Sequence, residues 1–291
     1  MELVVMEAIE NLKAGLAANG YLADNNLAAA MYLAENLEKP LLLEGPAGVG
    51  KTELAKAWSR LRNRRLIRLQ CYEGLDESKA LYEWNYQKQL LYIQIEALAQ
   101  SGWETGRQQI FDQEFLLKRP LLTALTSPEP VVLLIDEIDK SDQEFESFLL
   151  EALSDWQVTI PELGTISAVT RPHVVLTSNS TRELGDALRR RCLHFHIDYP
   201  DFEREMAIVE LNAPQIDRKF ANQLVEFVQN LRKQPLKKPP SVTESIDWAL
   251  SMHLFGGELT PEAVRATLTA LLKYTKDREL VADKLPYLLK P

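Results

Sequence analysis

Apolar runs alternate with segments of helical periodicity along the first two-thirds of the chain, and this alternation predicts a parallel sheet covered by helices. The apolar runs predict five strands, at Pro40–Leu43, Arg65–Gln70, Val131–Ile135, Val174–Ser178 and Leu193–Ile197. The periodic segments between them predict helices at Leu27–Asn36, Thr52–Arg62, Gln143–Ser154 and Glu183–Arg190. The predicted fold class is therefore α/β, with helices on both faces of a five-stranded parallel sheet.

The rest of the chain shows helical periodicity without strands. After Pro200 the pattern predicts helices at Phe202–Leu211, Arg218–Arg232, Val242–His253 and Glu262–Tyr274. Three helix starts carry capping residues, namely Ser141 with Glu144, Ser241 with Glu244, and Thr260 before Pro261. We therefore predict two domains, residues 1–200 with the sheet and residues 201–291 with helices alone.

One interval is too long for a minimal α/β fold. Sixty residues, 71–130, separate the second predicted strand from the third, where a single crossover helix would suffice. The interval holds eight of the 23 aromatic residues: Tyr72, Tyr82, Trp84, Tyr86, Tyr92, Trp103, Phe111 and Phe115. Such enrichment suits an inserted hairpin or a surface that contacts a partner. It suits equally well a local core of packed rings, and the sequence leaves both interpretations open.

The composition is that of a globular protein, with 291 residues, of which 46% are hydrophobic and 26% charged. The formal net charge of −9 argues against nonspecific binding to nucleic acid or to an anionic membrane. Cys71 and Cys192 are too few for a disulfide framework, and the four scattered histidines offer no zinc site. The chain shows neither a signal-peptide pattern nor a membrane-spanning stretch, so we expect a cytoplasmic protein that does not contact membranes.

An unbroken phosphate-loop motif, G-x-x-x-x-G-K-[ST], follows the first predicted strand and precedes a helix. Glycines allow the backbone to curl so that several amides point at one phosphate chain, and the helix amino terminus adds partial positive charge. Lys51 is expected to contact the β- and γ-phosphates, and the Thr52 hydroxyl to hold Mg²⁺. The motif predicts that a nucleoside triphosphate is bound by Gly45, Pro46, Ala47, Gly48, Val49, Gly50, Lys51 and Thr52.

The third predicted strand ends in two adjacent carboxylates, Asp136 and Glu137. Ligands gather beyond the carboxyl ends of parallel strands, so we expect Asp136 to reach the Mg²⁺ that Thr52 holds. Glu137 is then placed to orient and polarise a water molecule for attack on the γ-phosphorus. The other acids of this segment are expected to be solvated or to cap a helix: Asp139, Asp142 and Glu144.

Two further features follow later strands. Asn179 comes after the fourth predicted strand, where its amide can hold the attacking water or contact the γ-phosphate. Three consecutive arginines, Arg189–Arg191, end a helix just before the fifth strand. They interact favourably with the helix dipole, which is the simpler explanation. Alternatively, one of them is an arginine finger that enters the site of a neighbouring subunit, a role that requires an oligomer.

The segments GPAGVGKT, VVLLIDE and ALRRRC, together with Asn179 and the trailing helices, resemble an AAA+ ATPase over nearly the whole chain. Within AAA+ proteins the chain is most similar to the MoxR family. DEIDKSDQEFESFLLEALSDWQVTIPELG and TSNSTRELGDALRRRC are closest to its CoxD-like branch. The resemblance implies a P-loop NTPase with an αβα core, an insert in the second helix within about residues 84–118, and a C-terminal all-α lid domain.

The resemblance also implies a function. It implies an ATPase that hydrolyses ATP with Mg²⁺, assembles into a homo-oligomeric ring, commonly a hexamer, and remodels a protein client like a chaperone. The usual partner contains a von Willebrand factor A (VWA) domain. In the CoxD-like branch the client is a metalloenzyme whose maturation includes assembly of its metal cofactor.

The resemblance carries over to particular residues. Walker A is matched by Lys51 and Thr52, Walker B by Asp136 and Glu137, sensor 1 by Asn179, and the arginine finger by Arg191 with Arg190 second. There is one departure. The lid helix that opens at Ser241–Glu244 has no arginine where AAA+ proteins usually carry sensor 2.

Two other functions remain open from the sequence. A nucleic-acid-acting AAA+ motor or clamp-loader-like subunit would suit the cluster Arg60, Arg62, Arg64, Arg65 and Arg68. Cations at a helix end have a simpler explanation in the helix dipole, and the chain is acidic overall. A small-molecule kinase could use the same phosphate loop, but the paired acids, Asn179 and the helical lid favour hydrolysis.

Overall fold

A computed structural model describes residues 2–98 and 111–289 of the chain. The strands are β1 Leu41–Glu44, β2 Leu66–Gln70, β3 Tyr82–Trp84, β4 Leu116–Lys118, β5 Val132–Asp136, β6 Gln157–Ile160, β7 Gly164–Ser167, β8 His173–Ser178 and β9 Leu193–His196. The α-helices of the described residues are α1 Glu2–Ala18, α2 Asn25–Leu37, α3 Lys51–Leu61, α4 Glu77–Ala80, α5 Tyr86–Leu98, α6 Pro120–Leu125, α7 Gln143–Ser154, α8 Asp186–Arg191, α9 Phe202–Asn212, α10 Arg218–Arg232, α11 Val242–Leu254, α12 Pro261–Leu271 and α13 Thr275–Leu288.

Five parallel strands form the central sheet in the order β2-β5-β8-β1-β9, as the hydrophobic pattern predicted. Every residue of β1 and of β5 is buried, which is what a strand needs when helices cover both faces of its sheet. By contrast, β2 at the end of the sheet alternates, with Ile67 and Leu69 buried and Arg68 between them exposed. The strand predictions were correct to within one residue at each boundary.

The long interval between β2 and β5 contains a small antiparallel sheet, β3 with β4, and helix α5 between its strands. The insert was predicted within about residues 84–118, of which 99–110 lie outside the described residues, as does Trp103. Among the described aromatic residues, Trp84 packs edge-on against Phe111 and Tyr92 against Phe115, each pair with ring centroids 5.4 Å apart. These rings extend the core beneath the sheet, so the packing interpretation holds for them, whereas Tyr86 is exposed.

The two capping boxes had different outcomes. The Ser241 side chain accepts from the Glu244 amide and Glu244 accepts from the Ser241 amide, so this box was predicted correctly. The box at Ser141 was wrong. Asp142 is the N-cap of α7 and accepts from an amide of its first turn, while the Ser141 hydroxyl donates to the Ile138 carbonyl. An aspartate one residue nearer the helix therefore takes the capping position.

Some elements were missed. The terminal helices α1 and α13 and the antiparallel hairpin β6–β7 were not predicted. Helix α8 begins at Asp186 rather than Glu183, because the Gly185 backbone is extended and its amide donates to buried Glu146. Pro286 lies within α13, and a proline there argues against a helix when only the sequence is read.

The described residues form two compact units. One contains the described parts of Met1–Gly15, Asp24–Glu44 and Thr52–Phe195, and the other those of Leu16–Ala23, Gly45–Lys51 and His196–Pro291. The second unit has its own apolar core, in which Phe227 stacks on fully buried Trp248 with centroids 5.1 Å apart. Fully buried Glu205 accepts two hydrogen bonds from Arg232, at 2.5 and 2.6 Å, and so balances a charge inside this core. The assignment of residues 1–200 and 201–291 to separate functional domains stays a prediction.

Candidate functional site

The phosphate-loop motif, Gly45–Thr52, adopts a backbone that only glycine tolerates at its key positions. Gly45 has φ 148° and Gly48 has φ 76°. A Cβ atom at Gly45 would lie 2.0 Å from the Ile197 carbonyl oxygen, and one at Gly48 would lie 2.5 Å from the Ser241 side chain. At these two positions a side chain would clash with Ile197 and Ser241, so the curled backbone that a phosphate cradle uses depends on glycine.

Lys51, the first residue of α3, holds its ammonium group within the loop. Its side chain is buried, and Nζ donates to the Gly45 and Pro46 carbonyl oxygens, each at 2.7 Å. Carbonyl oxygens are uncharged, so these two hydrogen bonds leave the positive charge of the ammonium group available to an anion. The loop and its lysine thus fit a polyphosphate, and contact of Lys51 with the β- and γ-phosphates stays a prediction.

Thr52, the next residue, contacts the first of the two predicted acids. The Thr52 hydroxyl lies 3.0 Å from Oδ1 of Asp136, which ends β5 and is buried. Asp136 also accepts from the Thr177 hydroxyl at 2.5 Å and from the Arg68 guanidinium at 2.6 Å. A hydroxyl beside a carboxylate is the hard oxygen donor set that Mg²⁺ prefers, so these two residues fit the ion. Sequence reasoning missed Thr177 and Arg68, which only strand pairing brings to Asp136.

Glu137 follows Asp136 in a left-handed backbone conformation, with φ 58°. A non-glycine residue held there costs on the order of 1–3 kcal/mol, and such strain is typical of functional positions. The Glu137 carboxylate accepts from Gln70 Nε2 at 2.8 Å, from Lys140 Nζ at 2.6 Å and from Asn179 Nδ2 at 3.3 Å. The hydrogen bond to Glu137 raises the pKa of Lys140. The structure therefore brings Glu137 and Asn179 together, and Gln70 and Lys140 are contacts that the sequence did not indicate.

Asp139 was expected to be solvated or to cap a helix, and this was wrong. The side chain is buried and accepts hydrogen bonds from the backbone N–H groups of Asn179 and Thr181, each at 3.1 Å. It also accepts one from the Thr181 hydroxyl at 2.6 Å. Burial acts to raise the pKa of Asp139, but these hydrogen bonds outweigh it and lower the pKa. Asp139 thus fixes the loop after β8 and with it the position of Asn179.

The three arginines at the end of α8 have different surroundings. Arg189 donates to Glu44 at 2.8 Å, and Arg191 donates to the Ser154 hydroxyl and to the Ala187 carbonyl. Arg190 is exposed and has no hydrogen bond or ion pair within the part of the chain that the structure describes. Arg190 and Arg191 line a cavity of about 380 Å³.

This cavity lies at the amino end of β1, where Lys39 and Pro40 also line it. Glu137 lies beyond the carboxyl end of β5, which runs parallel to β1 in the same sheet. The structure therefore does not bring Arg190 or Arg191 to Glu137 of the same chain.

The region where sensor 2 was missing makes a backbone contact to the phosphate loop. The Thr243 amide and hydroxyl, in the first turn of α11, donate to the Gly48 carbonyl oxygen at 3.3 and 3.5 Å. Loop and helix start belong to the same compact unit. In this chain the first turn of α11 thus reaches the loop through its backbone and a threonine, without an arginine.

Two kinds of feature are absent from the described residues. These residues contain no cluster of three or more histidine, cysteine, aspartate or glutamate side chains that could hold a metal ion. None of the helices in these ranges combines the length and the apolarity that crossing a membrane requires.

Comparison with solved structures gives the fold. The chain is similar to two point mutants of RuvB from Thermotoga maritima, with TM-scores of 0.51 and 0.50 and sequence identities of 17% and 18%. The alignments cover 90% and 89% of this chain and 69% and 68% of those chains. The fold is that of a P-loop AAA+ protein, with the parallel five-stranded sheet and a helical C-terminal region.

Comparison with known sequences gives the family. An uncharacterized protein of Staphylococcus aureus (strain bovine RF122 / ET3-1) is 28% identical over 204 residues, which are 68% of this chain and 70% of that protein. An uncharacterized protein of Staphylococcus epidermidis is 26% identical over 203 residues, or 67% and 69% of the two chains. The family model of the AAA domain (dynein-related subfamily) matches residues 40–192, more than half of the chain. The chain therefore belongs to the AAA domain family, in its dynein-related subfamily.

Proposed function

We propose that the chain is an ATPase that binds ATP with Mg²⁺, works as a homo-oligomeric ring and remodels a protein client. The observation that carries this proposal is the pairing of Thr52 with Asp136, followed directly by Glu137 held against Asn179. AAA+ P-loop proteins generally hydrolyse ATP and generally form oligomers, and the chain belongs to this class.

Each residue has a proposed role in this reaction. The amides of Gly45–Gly50 and the Lys51 ammonium bind the phosphates, and Thr52 with Asp136 holds the metal ion. Mg²⁺, when bound, supplies positive charge to the phosphate oxygens. The Glu137 carboxylate accepts a hydrogen bond from the attacking water and orients it. The side-chain amide of Asn179 donates to Glu137 and so fixes the position of the carboxylate and of the water that it binds.

The first test is the variant Glu137→Gln. It should retain ATP binding, because the loop is untouched, and should lose about 10²- to 10⁴-fold in hydrolysis, because the carboxylate is gone. Nucleotide affinity and phosphate release are measured on the same preparation. Glu144→Gln, which changes an exposed acid in the first turn of α7, is the matched control. Normal turnover in Glu137→Gln would remove this residue from the mechanism.

We propose further that Arg191, or its neighbour Arg190, acts in the site of an adjacent subunit. Neither guanidinium is bound to a carboxylate among the described residues, and both border a cavity at the amino end of the sheet. A guanidinium without a carboxylate partner keeps its charge for an incoming phosphate. This proposal requires an oligomer, for which a six-membered ring is the expectation.

The finer proposal concerns the client. The segments DEIDKSDQEFESFLLEALSDWQVTIPELG and TSNSTRELGDALRRRC support a MoxR-type protein of the CoxD-like branch, acting in the cytoplasm. We therefore propose maturation of a metalloenzyme, including assembly of its metal cofactor, together with a VWA-domain partner. Proteins that co-purify from the native host with Glu137→Gln, but not with Lys51→Ala, identify the client. A nucleic acid in place of a protein would contradict this proposal.

Ion pairs within the chain weaken the case for the alternative function, which is action on nucleic acid. Of the five arginines that suggested it, Arg60 is paired with Glu53, Arg62 with Glu35 and Arg68 with Asp136. Cations that are neutralised by their own chain contribute little to phosphate binding. ATPase stimulation by DNA or RNA that weakens with salt would restore this alternative.

A further inference from the structure

A cavity of about 310 Å³ lies at the amino end of the central sheet, on the opposite side from Asp136 and Glu137. Its wall includes Lys39 just before β1, Arg64 just before β2, and His173, which begins β8. This volume is at the lower end of the range for pockets that bind small molecules. The motifs that indicate nucleotide binding do not involve this cavity.

The two carboxylates of the cavity already have partners. Glu35 accepts two hydrogen bonds from Arg62, both at 2.6 Å, and a third from the Trp58 indole at 2.9 Å. Glu38 forms an ion pair with Arg171. Each negative charge of the wall is therefore balanced by an arginine, and neither carboxylate is left to balance another cation.

Two cations of the wall lack such a partner. The side chains of Lys39 and Arg64 make no hydrogen bond or ion pair within the described ranges 2–98 and 111–289. Burial lowers the pKa of the partly buried Arg64, and the charge of Arg62 adds to this while Glu35 opposes it. A partly buried guanidinium that no carboxylate contacts is unfavourable, and a bound anion would relieve this cost.

The remaining polar group of the wall is uncharged at neutral pH. Burial, together with the nearby Arg64, lowers the pKa of His173 to about 4. The imidazole centroid lies 5.2 Å from that of the Trp58 ring. A neutral imidazole can donate one hydrogen bond to an oxyanion without adding charge. Arg62 pairs with Glu35 from outside the lining, so with it four cations stand against two carboxylates, and two positive charges are left uncompensated in a protein of net charge −9.

We propose that this cavity binds a phosphate dianion, either inorganic phosphate or the phosphoryl group of a small metabolite, through Lys39, Arg64 and His173. Two separate cations match the charge of nearly −2 that a phosphomonoester carries near neutral pH. A carboxylate carries half that charge and has one oxygen fewer. The site is independent of the phosphate loop in position and in residues.

His173 provides the readout. The chain has four histidines, so their ring-proton signals are resolvable by NMR, and the variant His173→Gln assigns the signal of interest. The full chain is saturated with a non-hydrolysable ATP analogue, so that added phosphate does not occupy the phosphate loop. Phosphate should shift the His173 signal saturably and raise its pKa, because a bound dianion stabilises the imidazolium form.

Matched variants locate the binding. Arg64→Gln should raise the phosphate concentration for half-saturation about tenfold, since one charge-assisted hydrogen bond is lost. Lys39→Gln should act in the same direction. Arg65→Gln changes the adjacent exposed arginine, which does not line the cavity, and should bind phosphate like the wild type. Because the Arg64 side chain makes no hydrogen bond or ion pair among the described residues, its replacement breaks no contact, and the variant should melt no lower than the wild type.

Three outcomes would overturn the proposal. They are a His173 signal that phosphate does not move, equal phosphate affinity in Arg64→Gln and the wild type, and acetate binding as tightly as phosphate. Separate titrations with inorganic phosphate and with glycerol phosphate distinguish the two sources. Tighter binding of the ester identifies a phosphorylated metabolite as the ligand, and tighter binding of inorganic phosphate identifies the free ion.

Discussion

The two ends of the central sheet are built from the same strands but treat charge in opposite ways. At the carboxyl end, the acidic side chains Asp136, Glu137 and Asp139 each accept several hydrogen bonds from their own chain. At the amino end, the side chains of Lys39, Arg64 and Arg190 form no hydrogen bond or ion pair among the described residues. The acidic side chains at the carboxyl end are thus hydrogen-bonded within the chain, whereas the amino end carries positive charges that no carboxylate contacts.

The difference indicates how each end can respond to a ligand. At the carboxyl end, a metal ion must compete with contacts that already exist, above all the ion pair of Arg68 with Asp136. At the amino end, an anion adds contacts without breaking any, because the carboxylates there are held by other arginines. We therefore expect substitutions at the carboxyl end to change stability and metal dependence. Substitutions at the amino end should change the binding of anions and catalysis between subunits.

The largest effect is expected at the amino end. Arg191→Ala should lower ATP hydrolysis about 10³-fold, because a finger arginine offsets charge in the transition state. Mixing Arg191→Ala with Lys51→Ala subunits should restore part of the activity, because each variant lacks a different half of a shared site. Phosphate release is measured across mixing ratios. Arg190→Ala is the matched variant, and a larger loss there would assign the role to Arg190. No recovery in any mixture would contradict catalysis between subunits.

The next effect concerns stability at the carboxyl end. Asp139→Ala should lower the free energy of unfolding by about 3 kcal/mol, because the Asn179 and Thr181 donors lose their buried acceptor. Urea unfolding measures the change. Asp142→Ala, which removes the cap of α7, should cost only about 1 kcal/mol. Equal costs for the two variants would mean that the buried network contributes nothing beyond an ordinary helix cap.

A pH titration tests the amino end. Because the pKa of His173 is lowered to about 4 in the folded state, the unfolded chain binds the proton more readily. The free energy of unfolding should therefore decrease as the pH is lowered from about 6.5, the ordinary histidine pKa, to pH 4. The expected loss is roughly 2 kcal/mol for this partly exposed ring. His173→Gln should remove this part of the pH dependence, as measured by thermal melting. An unchanged profile would show that His173 titrates normally.

The smallest effect concerns metal dependence. Arg68→Gln removes the guanidinium that occupies Oδ2 of Asp136 and should lower the Mg²⁺ concentration for half-maximal hydrolysis by up to about fivefold. The effect is small because the Arg68 side chain is half exposed. Arg60→Gln, which breaks an ion pair on the surface of α3, serves as the control. A higher Mg²⁺ requirement in Arg68→Gln would mean that the arginine helps the metal to bind.

Much of the fold could be predicted because its signals are local. The inner strands of the sheet are continuous apolar runs, since helices cover both faces. The capping box at Ser241 involves only residues within four positions of one another. Helix α1 was missed because its many apolar residues follow no clear helical period. Helix α13 and the hairpin β6–β7 were missed because they contain few apolar residues. Asp139 was misjudged because the three groups that it binds come from a segment about forty residues later.

The sequence by itself determined the phosphate loop, the acidic pair and the order of strands and helices, because backbone geometry and strand burial constrain neighbouring residues directly. Only the tertiary structure decided which charges are neutralised. Arg68 meets Asp136, Gln70 meets Glu137 and Arg62 meets Glu35 through strand pairing and helix packing. Lys39 and Arg64 remain unbalanced for the same reason. Electrostatic partners are set by distance in space, which a linear pattern of residues does not contain.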